Sequence, residues 1–385
     1  MTVGMMSRIR VVPCVCEVSR RIVMYLFEEI YQAYLECRQN KRGSINAIKF
    51  EINLIDNLWE IYESINSFRY RPKRYIYFLT SSPKLREVFA SDFRDRVVHH
   101  LLVKDLIGIY EPTFIYDSYS CREKKGIHLA IDRLGRFVRN REYGYYLQLD
   151  IKSFFLSIDK NILFENIRKT TKLRDSTKIQ RVLYLSQMII YDDPTQNYIQ
   201  KGSKKEFKNL PYNKTLFNVP KHKGLPIGNL TSQYFANIYM NDFDNFIKRK
   251  LKVRYYMRYV DDMVLLGQSK EELKYIKEQI VKYLYVRLGL TLRDRYYLHS
   301  TSMGIDFLGY IVKPTHTLVR QRVVNNFKYK KAIFLDREFV DGSCSYASAK
   351  KFKEINASFY GHIKHSDSYR LNQKYQVDSW LKQKG

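Results

Sequence analysis

Cysteine is scarce in this sequence, and its five cysteines are scattered (Cys14, Cys16, Cys37, Cys121 and Cys344). They form no pair of Cys-x-x-Cys clusters, which argues against both a zinc framework and a disulfide scaffold. A reducing cytoplasm is therefore the expected compartment. Long apolar runs are missing as well, because charged residues interrupt the stretch from Ile9 to Ile30. We expect neither a signal peptide nor a membrane-spanning helix there, and no membrane partner.

The sequence also has no Gly-x-x-x-x-Gly-Lys-[Ser/Thr] motif, no internal repeat and no low-complexity tract. Without that motif, a P-loop nucleoside triphosphatase is not supported. Acidic residues are few, 39 against 67 Lys and Arg, and the net charge is +28. An excess of this size indicates a polyanionic partner, most simply nucleic acid, more strongly than it indicates a generally basic surface.

Hydrophobic residues make up 45% of the 385 residues, which allows two or three packed units. Apolar spacing predicts helices over Val23–Arg38, Lys49–Ser67, Asp159–Lys169 and Leu230–Lys250. In the second helix, the predicted apolar face consists of Ile52, Ile55, Leu58, Trp59, Tyr62 and Ile65. Residues 1–22 show no readable pattern and receive no assignment. The polar stretch at about 192–220 predicts a long loop or insertion. The basic tail 313–385 is predicted to be helical, with Phe352, Ile355, Phe359 and Ile363 on one face.

Two adjacent carboxylates, Asp261 and Asp262, lie between two short apolar, β-prone runs. This pattern predicts a hairpin with the carboxylates at its turn. An ordinary surface turn is the alternative, but apolar residues continue up to both carboxylates, so we favour a buried pair that needs a cation. A second strand is predicted over Tyr145–Ile151, half-buried, with Asp150 near its end. If the two strands are neighbours, three carboxylates converge as a two-metal phosphoryl-transfer centre requires.

A basic hairpin is predicted between Tyr75 and Phe89, around Ser81-Ser82-Pro83. It carries Lys84 and Arg86, which could clamp a triphosphate. A sheet edge protected by charge is an equally good interpretation.

Four ordered motifs resemble the palm motifs of reverse transcriptases: LQLDIKSFF (147–155), GLPIGNLTSQYFANIY (224–239), RYVDD (258–262) and GIDFLGY (304–310). The stretch FRDRVVHH (93–100) resembles an upstream block of the same family. The resemblance implies an α+β right-hand polymerase. Fingers and palm would occupy 23–312, the palm being an antiparallel sheet packed on helices, and 313–385 would form a basic helical thumb. It implies an RNA-directed DNA polymerase that uses deoxynucleoside triphosphates and two Mg²⁺ ions, or Mn²⁺, on an RNA template and its RNA–cDNA duplex.

The resemblance also implies roles for particular residues. Asp150 and Asp261 would be the principal metal ligands, supported by Asp262 and by the carbonyl of Ile151. Phe155 would be the aromatic gate that excludes a 2′-hydroxyl, while Phe154 would belong to the core. The candidate nucleotide contacts are Lys84, Arg86, Phe155, Ile227 and Gly228, and the candidate primer grip is Phe307, Leu308, Gly309 and Tyr310.

The stretch IGNLTSQ (227–233) is similar to the reverse transcriptases of diversity-generating retroelements, where most other reverse transcriptases have Gln at position 227. That resemblance implies errors opposite template adenines, mutagenic retrohoming and a small basic accessory protein, in the cytoplasm of a bacterium or a phage-infected host. Ile227 can only pack, so a contact that senses geometry would be lost and discrimination relaxed. Alternatively, Ile227 only packs the turn.

The stretch LRDRY (292–296) stands where many family members have Lys after the long helix, and an arginine gives up a proton less readily than a lysine, which leaves the general acid open. Two other functions stay open as well: another bacterial reverse transcriptase (retron, group II intron-like or phage-defence) and a non-catalytic RNA-binding scaffold.

Overall fold

The structure is a computed structural model that describes residues 24–39, 43–81, 84–171, 176–203, 207–338 and 345–375. The unassigned segment 1–22, part of the predicted turn (Ser82 and Pro83) and the last residues of the tail lie outside the described residues. Across the described ranges, no helix has the length and apolar character needed to span a bilayer.

The N-terminal part consists of the helices α1 (Phe27–Arg38), α2 (Ile45–Ile52), α3 (Leu54–Asn66) and α4 (Phe93–Tyr110). The single helix predicted over Lys49–Ser67 is wrong, because Asn53 separates two helices, α2 and α3. The helix break changes the buried face. Leu58, Ile61 and Ile65 are buried, whereas Ile55 and Trp59 are exposed. Asp92 caps α4 by accepting a hydrogen bond from the Arg94 amide, as expected of an N-cap aspartate.

The predicted basic hairpin is confirmed as strands β1 (Tyr75–Thr80) and β2 (Arg86–Ala90), paired antiparallel. The polar insertion is more ordered than predicted, because β4 (Tyr198–Gln200) pairs in parallel with β1. Rings from the hairpin and the insertion, among them Tyr77 and Phe217 at 5.4 Å, pack into a small separate core. Apolar and aromatic residues spaced along a polar segment therefore attach it to the sheet.

The central sheet is four-stranded and antiparallel, in the order β5-β6-β3-β7. Its strands are β3 (Tyr145–Asp150), β5 (Tyr256–Tyr259), β6 (Asp262–Gly267) and β7 (Tyr297–Ser300). Three of the six residues of β3 are buried and three are half-buried, so the strand is more buried than predicted. Leu147 and Leu149 face the larger core, and Tyr146 is buried in a second core on the opposite face.

Helices cover both faces of this sheet. They are α5 (Ile127–Val138), the short α6 (Phe154–Ser157), α7 (Lys160–Thr171), α8 (Ser176–Ile190), α9 (Leu230–Asn245) and α10 (Lys270–Leu288). A π-helical turn, Phe246–Lys250, continues α9 to the predicted end of that helix. Ser269 caps α10, because its hydroxyl accepts from the Glu272 amide, and the Glu272 carboxylate accepts from the Gln268 amide.

The C-terminal part starts with a small sheet of β8 (Ile305–Phe307), β9 (Tyr310–Val312) and β10 (Thr317–Val319). Helices α11 (Gln321–Glu338), α12 (Tyr346–Ile363) and α13 (Tyr369–Tyr375) follow. The predicted apolar face of the tail is confirmed, because Phe352, Phe359 and Ile363 are buried and Ile355 packs against the second core. The α+β fold class is thus confirmed.

Candidate active site

The predicted carboxylate turn connects β5 to β6 at the end of the central sheet. Asp262 is the direct partner of Asp150 in the β3–β6 ladder. Residues directly opposite in an antiparallel pair project to the same face, so the two carboxylates share one side of the sheet. Asp261 stands at the turn itself, after Val260 in a left-handed conformation (φ +57°). The expected convergence of the two strands is therefore present.

The three carboxylates interact strongly. Burial, reinforced by the charges of Asp262 and Asp150, raises the pKa of Asp261 to about 7. Burial and the charge of Asp150 raise the pKa of Asp262 to about 6. The raised pKa values show that the environment of these two carboxylates disfavours their ionised form unless a cation is bound nearby.

Arg293 supplies one such cation. Its Nε lies 2.7 Å from Asp150 Oδ2, and its backbone amide donates to the Asp150 carbonyl at 2.8 Å. Asp150 Oδ1, in contrast, is buried and receives no hydrogen bond. Within the described ranges, no group of three or more His, Cys, Asp or Glu side chains is spaced to hold a metal as the side chains stand.

The carbonyl of Ile151 is oriented by its bridge to Leu292. The bonds on either side of this bridge use the Asp150 carbonyl and the Lys152 amide. Ile151 lies between these two hydrogen-bonded positions. In an antiparallel ladder, the amide and carbonyl of a residue in that position are directed away from the partner strand, here toward β6. The role of Ile151 as a supporting ligand stays a prediction.

The two basic residues of the predicted hairpin, Lys84 and Arg86, differ in their relation to the carboxylates. The Lys84 ammonium lies close enough to Asp262 to lower the pKa of that carboxyl, against the larger effect of burial. Arg86 is exposed at the start of β2, paired with Thr80. The hairpin therefore brings at least one cation to the carboxylates.

The turn around Ile227 is bound to the same hairpin. The Phe89 amide donates to the Ile227 carbonyl at 2.9 Å. Asn229 accepts from the Ser91 amide and hydroxyl and donates to the Phe89 carbonyl. Gly228 has φ +122°, and a Cβ there would lie 2.6 Å from Val88 Cγ1, so only glycine permits this approach. Ile227 itself is half-buried.

The two adjacent phenylalanines separate as expected. Phe154 is buried in the large core, whereas Phe155 is half-buried and its carbonyl accepts from the Leu225 amide at 2.8 Å. This backbone bond joins the segment after β3 to the turn that contains Ile227, and the role of Phe155 as a sugar gate stays a prediction.

The candidate primer grip forms the predicted hairpin, but only its tip is accessible. Phe307 and Tyr310 are buried in the second core. Leu308 (φ +49°) and Gly309 (φ +92°) form the partly exposed turn. Any contact with a primer would thus come from the tip, since the two aromatic side chains are used for packing.

Two features of the site were not predicted. Asp306 lies near enough to raise the pKa of Asp262, and its own pKa is raised by burial. Its position between the inward-facing Ile305 and Phe307 in GIDFLGY could have indicated this orientation. The second is a buried ion pair beneath the turn, between Arg258 and Asp244 at 2.6 Å, for which the sequence contains no local signal.

A three-stranded sheet with a basic hairpin, a central antiparallel sheet with carboxylates at one end and a helical C-terminal part together define a polymerase fold. Residues 80–312 match the protein family described as "Reverse transcriptase (RNA-dependent DNA polymerase)". This match spans more than half of the chain, and the protein therefore belongs to the reverse transcriptase family.

Two relatives show how distant the individual similarities are. The group II intron-encoded protein LtrA of Lactococcus lactis subsp. cremoris is 24% identical over 371 residues, covering 77% of this chain and 57% of LtrA. The protein YkfC of Escherichia coli strain K12 is 22% identical over 335 residues, covering 75% of this chain and 80% of YkfC. The chain thus spans little more than half the length of the first relative.

Among solved structures, apo telomerase from Candida tropicalis is similar over 81% of this chain and 61% of its own, with 13% identity and a TM-score of 0.47. A Candida albicans telomerase bound to a fragment of telomeric RNA is similar over 85% and 60%, with 13% identity and a TM-score of 0.45.

Proposed function

We propose that this chain is an RNA-directed DNA polymerase that extends a primer 3′ end with deoxynucleotides. The observation that carries the proposal is the convergence of Asp150, Asp261 and Asp262, two of them with raised pKa values, at one end of the central sheet. Half-buried like charges of this kind are typical of a site that binds divalent cations.

Carboxylate and carbonyl oxygens are the ligands that Mg²⁺ and Mn²⁺ prefer. Asp150, whose Oδ1 has no donor, and Asp261 would be the principal ligands, with Asp262 and the Ile151 carbonyl in support. When bound, two such ions would activate the primer hydroxyl and stabilise the leaving oxygen. Because no three-ligand group exists among the described side chains as they stand, the proposal requires these carboxylates to rearrange on binding.

The chain's own residues would position the substrates. Lys84 would hold the triphosphate, Phe155 would exclude a ribose, and the tip of the 307–310 hairpin would contact the primer. Residues 313–385 would act as the thumb. The net charge of +28 supports binding of template RNA and the RNA–cDNA duplex through their phosphates.

Within this function, we propose the error-prone subtype of diversity-generating retroelements, with a small basic accessory protein as partner. Its support is Ile227, an apolar side chain in a turn that is held rigidly against β2. An apolar residue there makes no polar contact that could report base-pair geometry. The similarity to LtrA supports the alternative of a group II intron-like enzyme.

Primer extension on a defined RNA template tests the enzymatic function. Asp261→Ala combined with Asp262→Ala should abolish Mg²⁺-dependent extension and leave RNA binding intact, because these carboxylates would hold the metal ions and not the template. Asp294→Ala, an exposed carboxylate in a nearby loop, is the matched control. Extension by the double variant at the wild-type rate would contradict the catalytic assignment.

Sequencing of the same products tests the subtype. Errors should concentrate opposite template adenines, and Ile227→Gln should reduce them several-fold by restoring a polar contact. An even error spectrum in the wild-type protein would remove the retroelement subtype, favour the intron-like alternative and leave the polymerase function standing.

A further inference from the structure

The first of the two residues in the turn between β5 and β6 has an unfavourable backbone conformation. Val260 has φ +57°, in the left-handed region that β-branched residues rarely enter. Such a conformation is strained and persists only where its surroundings enforce it. Because Asp261 follows directly, whatever enforces this conformation also sets the direction of the Asp261 side chain.

The Arg258 side chain makes the enforcing contact. Its Nη1 donates to the Val260 carbonyl at 2.9 Å, so the guanidinium folds back over the turn that its own strand enters. Arg258 is fully buried and cannot exchange this contact for water without moving the turn. A charge-assisted hydrogen bond in a dry setting is among the stronger single contacts available.

Asp244 on α9 fixes the guanidinium in turn. It accepts from Arg258 Nε at 2.8 Å and from Nη2 at 2.6 Å, and it also accepts from the Tyr256 hydroxyl at 2.6 Å. Weaker contacts at 3.4 Å join Arg258 to Asn237 on the same helix and to the Ser118 hydroxyl. The turn is thereby connected to the rigid helix behind the sheet.

The Arg258–Asp244 pair carries no net charge, so it affects the neighbouring carboxylates through geometry. If neutralising Asp244 were its only role, the ammonium of a lysine would be sufficient. Only a planar fork can bind a carboxylate with two nitrogens and still donate to a carbonyl on another side. The chemistry of the contacts therefore selects arginine for its shape.

We propose that Arg258, held by Asp244 and Tyr256, is a positioning residue that keeps Val260 left-handed and so places Asp261 for metal binding. This inference rests on the proposed two-metal function. It assigns a role in the site to residues that contact neither metal nor substrate.

The test measures Mn²⁺ binding by the chain without nucleic acid. The electron paramagnetic resonance signal of free Mn²⁺ reports how much of the ion remains unbound. Arg258→Lys keeps the charge but loses the fork, and it should weaken Mn²⁺ binding about tenfold, as loss of such supporting contacts typically does. In primer extension, the same variant should lower kcat and leave KM for the deoxynucleotide nearly unchanged.

Arg181→Lys is the matched control. Arg181 is also largely buried in an ion pair, with Asp105 at 2.5 Å, but that pair joins α8 to α4 and does not contact the turn. Both variants should lose thermal stability, and only Arg258→Lys should lose Mn²⁺ affinity. Equal effects on Mn²⁺ binding would mean that Arg258 has a structural role alone.

Rescue separates positioning from folding. Glycine adopts the left-handed conformation without strain, so Val260→Gly added to Arg258→Lys should recover most of the lost affinity. No recovery would overturn the proposal. If Arg258→Lys does not fold, Tyr256→Phe removes only one hydrogen bond to Asp244 and should weaken Mn²⁺ binding about threefold. Wild-type affinity in that variant would equally overturn it.

Asp261→Asn distinguishes the two levels of inference. If the wild-type chain and Asp261→Asn both fail to bind Mn²⁺, the proposed metal-dependent function fails. If the wild-type chain binds Mn²⁺, Asp261→Asn does not and Arg258→Lys binds like the wild type, only the positioning role fails.

Discussion

Replacing Asp261 by asparagine should stabilise the metal-free protein while removing its response to metal. In the folded chain, burial and the charges of Asp262 and Asp150 raise the pKa of Asp261 from 3.8 to about 7. That shift corresponds to about 4 kcal/mol for ionising this group in the folded state. The neutral amide has the same shape and avoids this cost.

The gain will be smaller than the full shift, because Asp262 titrates together with Asp261 and relaxes when one charge is removed. We expect about 2 kcal/mol at pH 8, which corresponds to a rise in the unfolding midpoint of about 3 °C in a chain of this size. Asp294→Asn, which changes an exposed carboxylate, should leave the midpoint within about 1 °C of the wild type.

The raised pKa of Asp261 also determines whether stability rises or falls with pH. Between about pH 4 and pH 7 the folded state holds a proton on Asp261 that the unfolded chain has released, so the wild type loses stability as the pH rises through this window. The variant does not titrate there. Its advantage should be near zero only below about pH 3.5, intermediate at pH 4.5 and greatest above pH 7.5.

Circular dichroism melts in EDTA from pH 4.5 to pH 8 measure this difference, and a second series with Mn²⁺ tests the reversal. Metal that binds only the folded wild type raises its midpoint by mass action and should leave the variant unchanged. A variant that melts below the wild type at pH 8 in EDTA would refute the electrostatic reasoning. So would a stability difference that does not change with pH.

The remaining predictions concern the nucleotide side of the site. Phe155→Val should admit ribonucleotides, measured as the ratio of ribonucleotide to deoxynucleotide incorporation. Phe154→Val should instead lower stability by about 1–3 kcal/mol without changing that ratio, because its ring is buried in the core; a changed ratio in Phe154→Val alone would move the gate. Gly228→Ala should destabilise the protein by about 2 kcal/mol or more and reduce incorporation, because its Cβ would meet Val88 and the Phe89 carbonyl at positive φ. Gly135→Ala, in α5 with open space around its Cβ, should be neutral or stabilising by up to about 1 kcal/mol; an equal loss in both glycine variants would contradict the close-approach argument.

Local patterns were sufficient for the elements of the site. Alternation placed Asp150 at the end of β3, and apolar runs on both sides of Asp261 and Asp262 predicted the hairpin, because both signals depend only on neighbours along the chain. The order of four motifs was likewise a property of the sequence, and the family match over residues 80–312 confirms what that order implied.

What the sequence left undetermined depends on contacts between distant segments. The second core that buries Tyr146, the pairing of β4 with β1 and the burial of Phe307 and Tyr310 all arise when remote elements pack together. The Arg258–Asp244 pair joins a strand to a helix, and the contact of Arg293 with Asp150 joins a loop to a strand. Residue type and spacing therefore determined which carboxylates could form the site. Only the tertiary structure decided which cationic side chains lie next to these carboxylates and which ion pair supports their turn. Charge interactions depend on distance in space and not on separation in sequence.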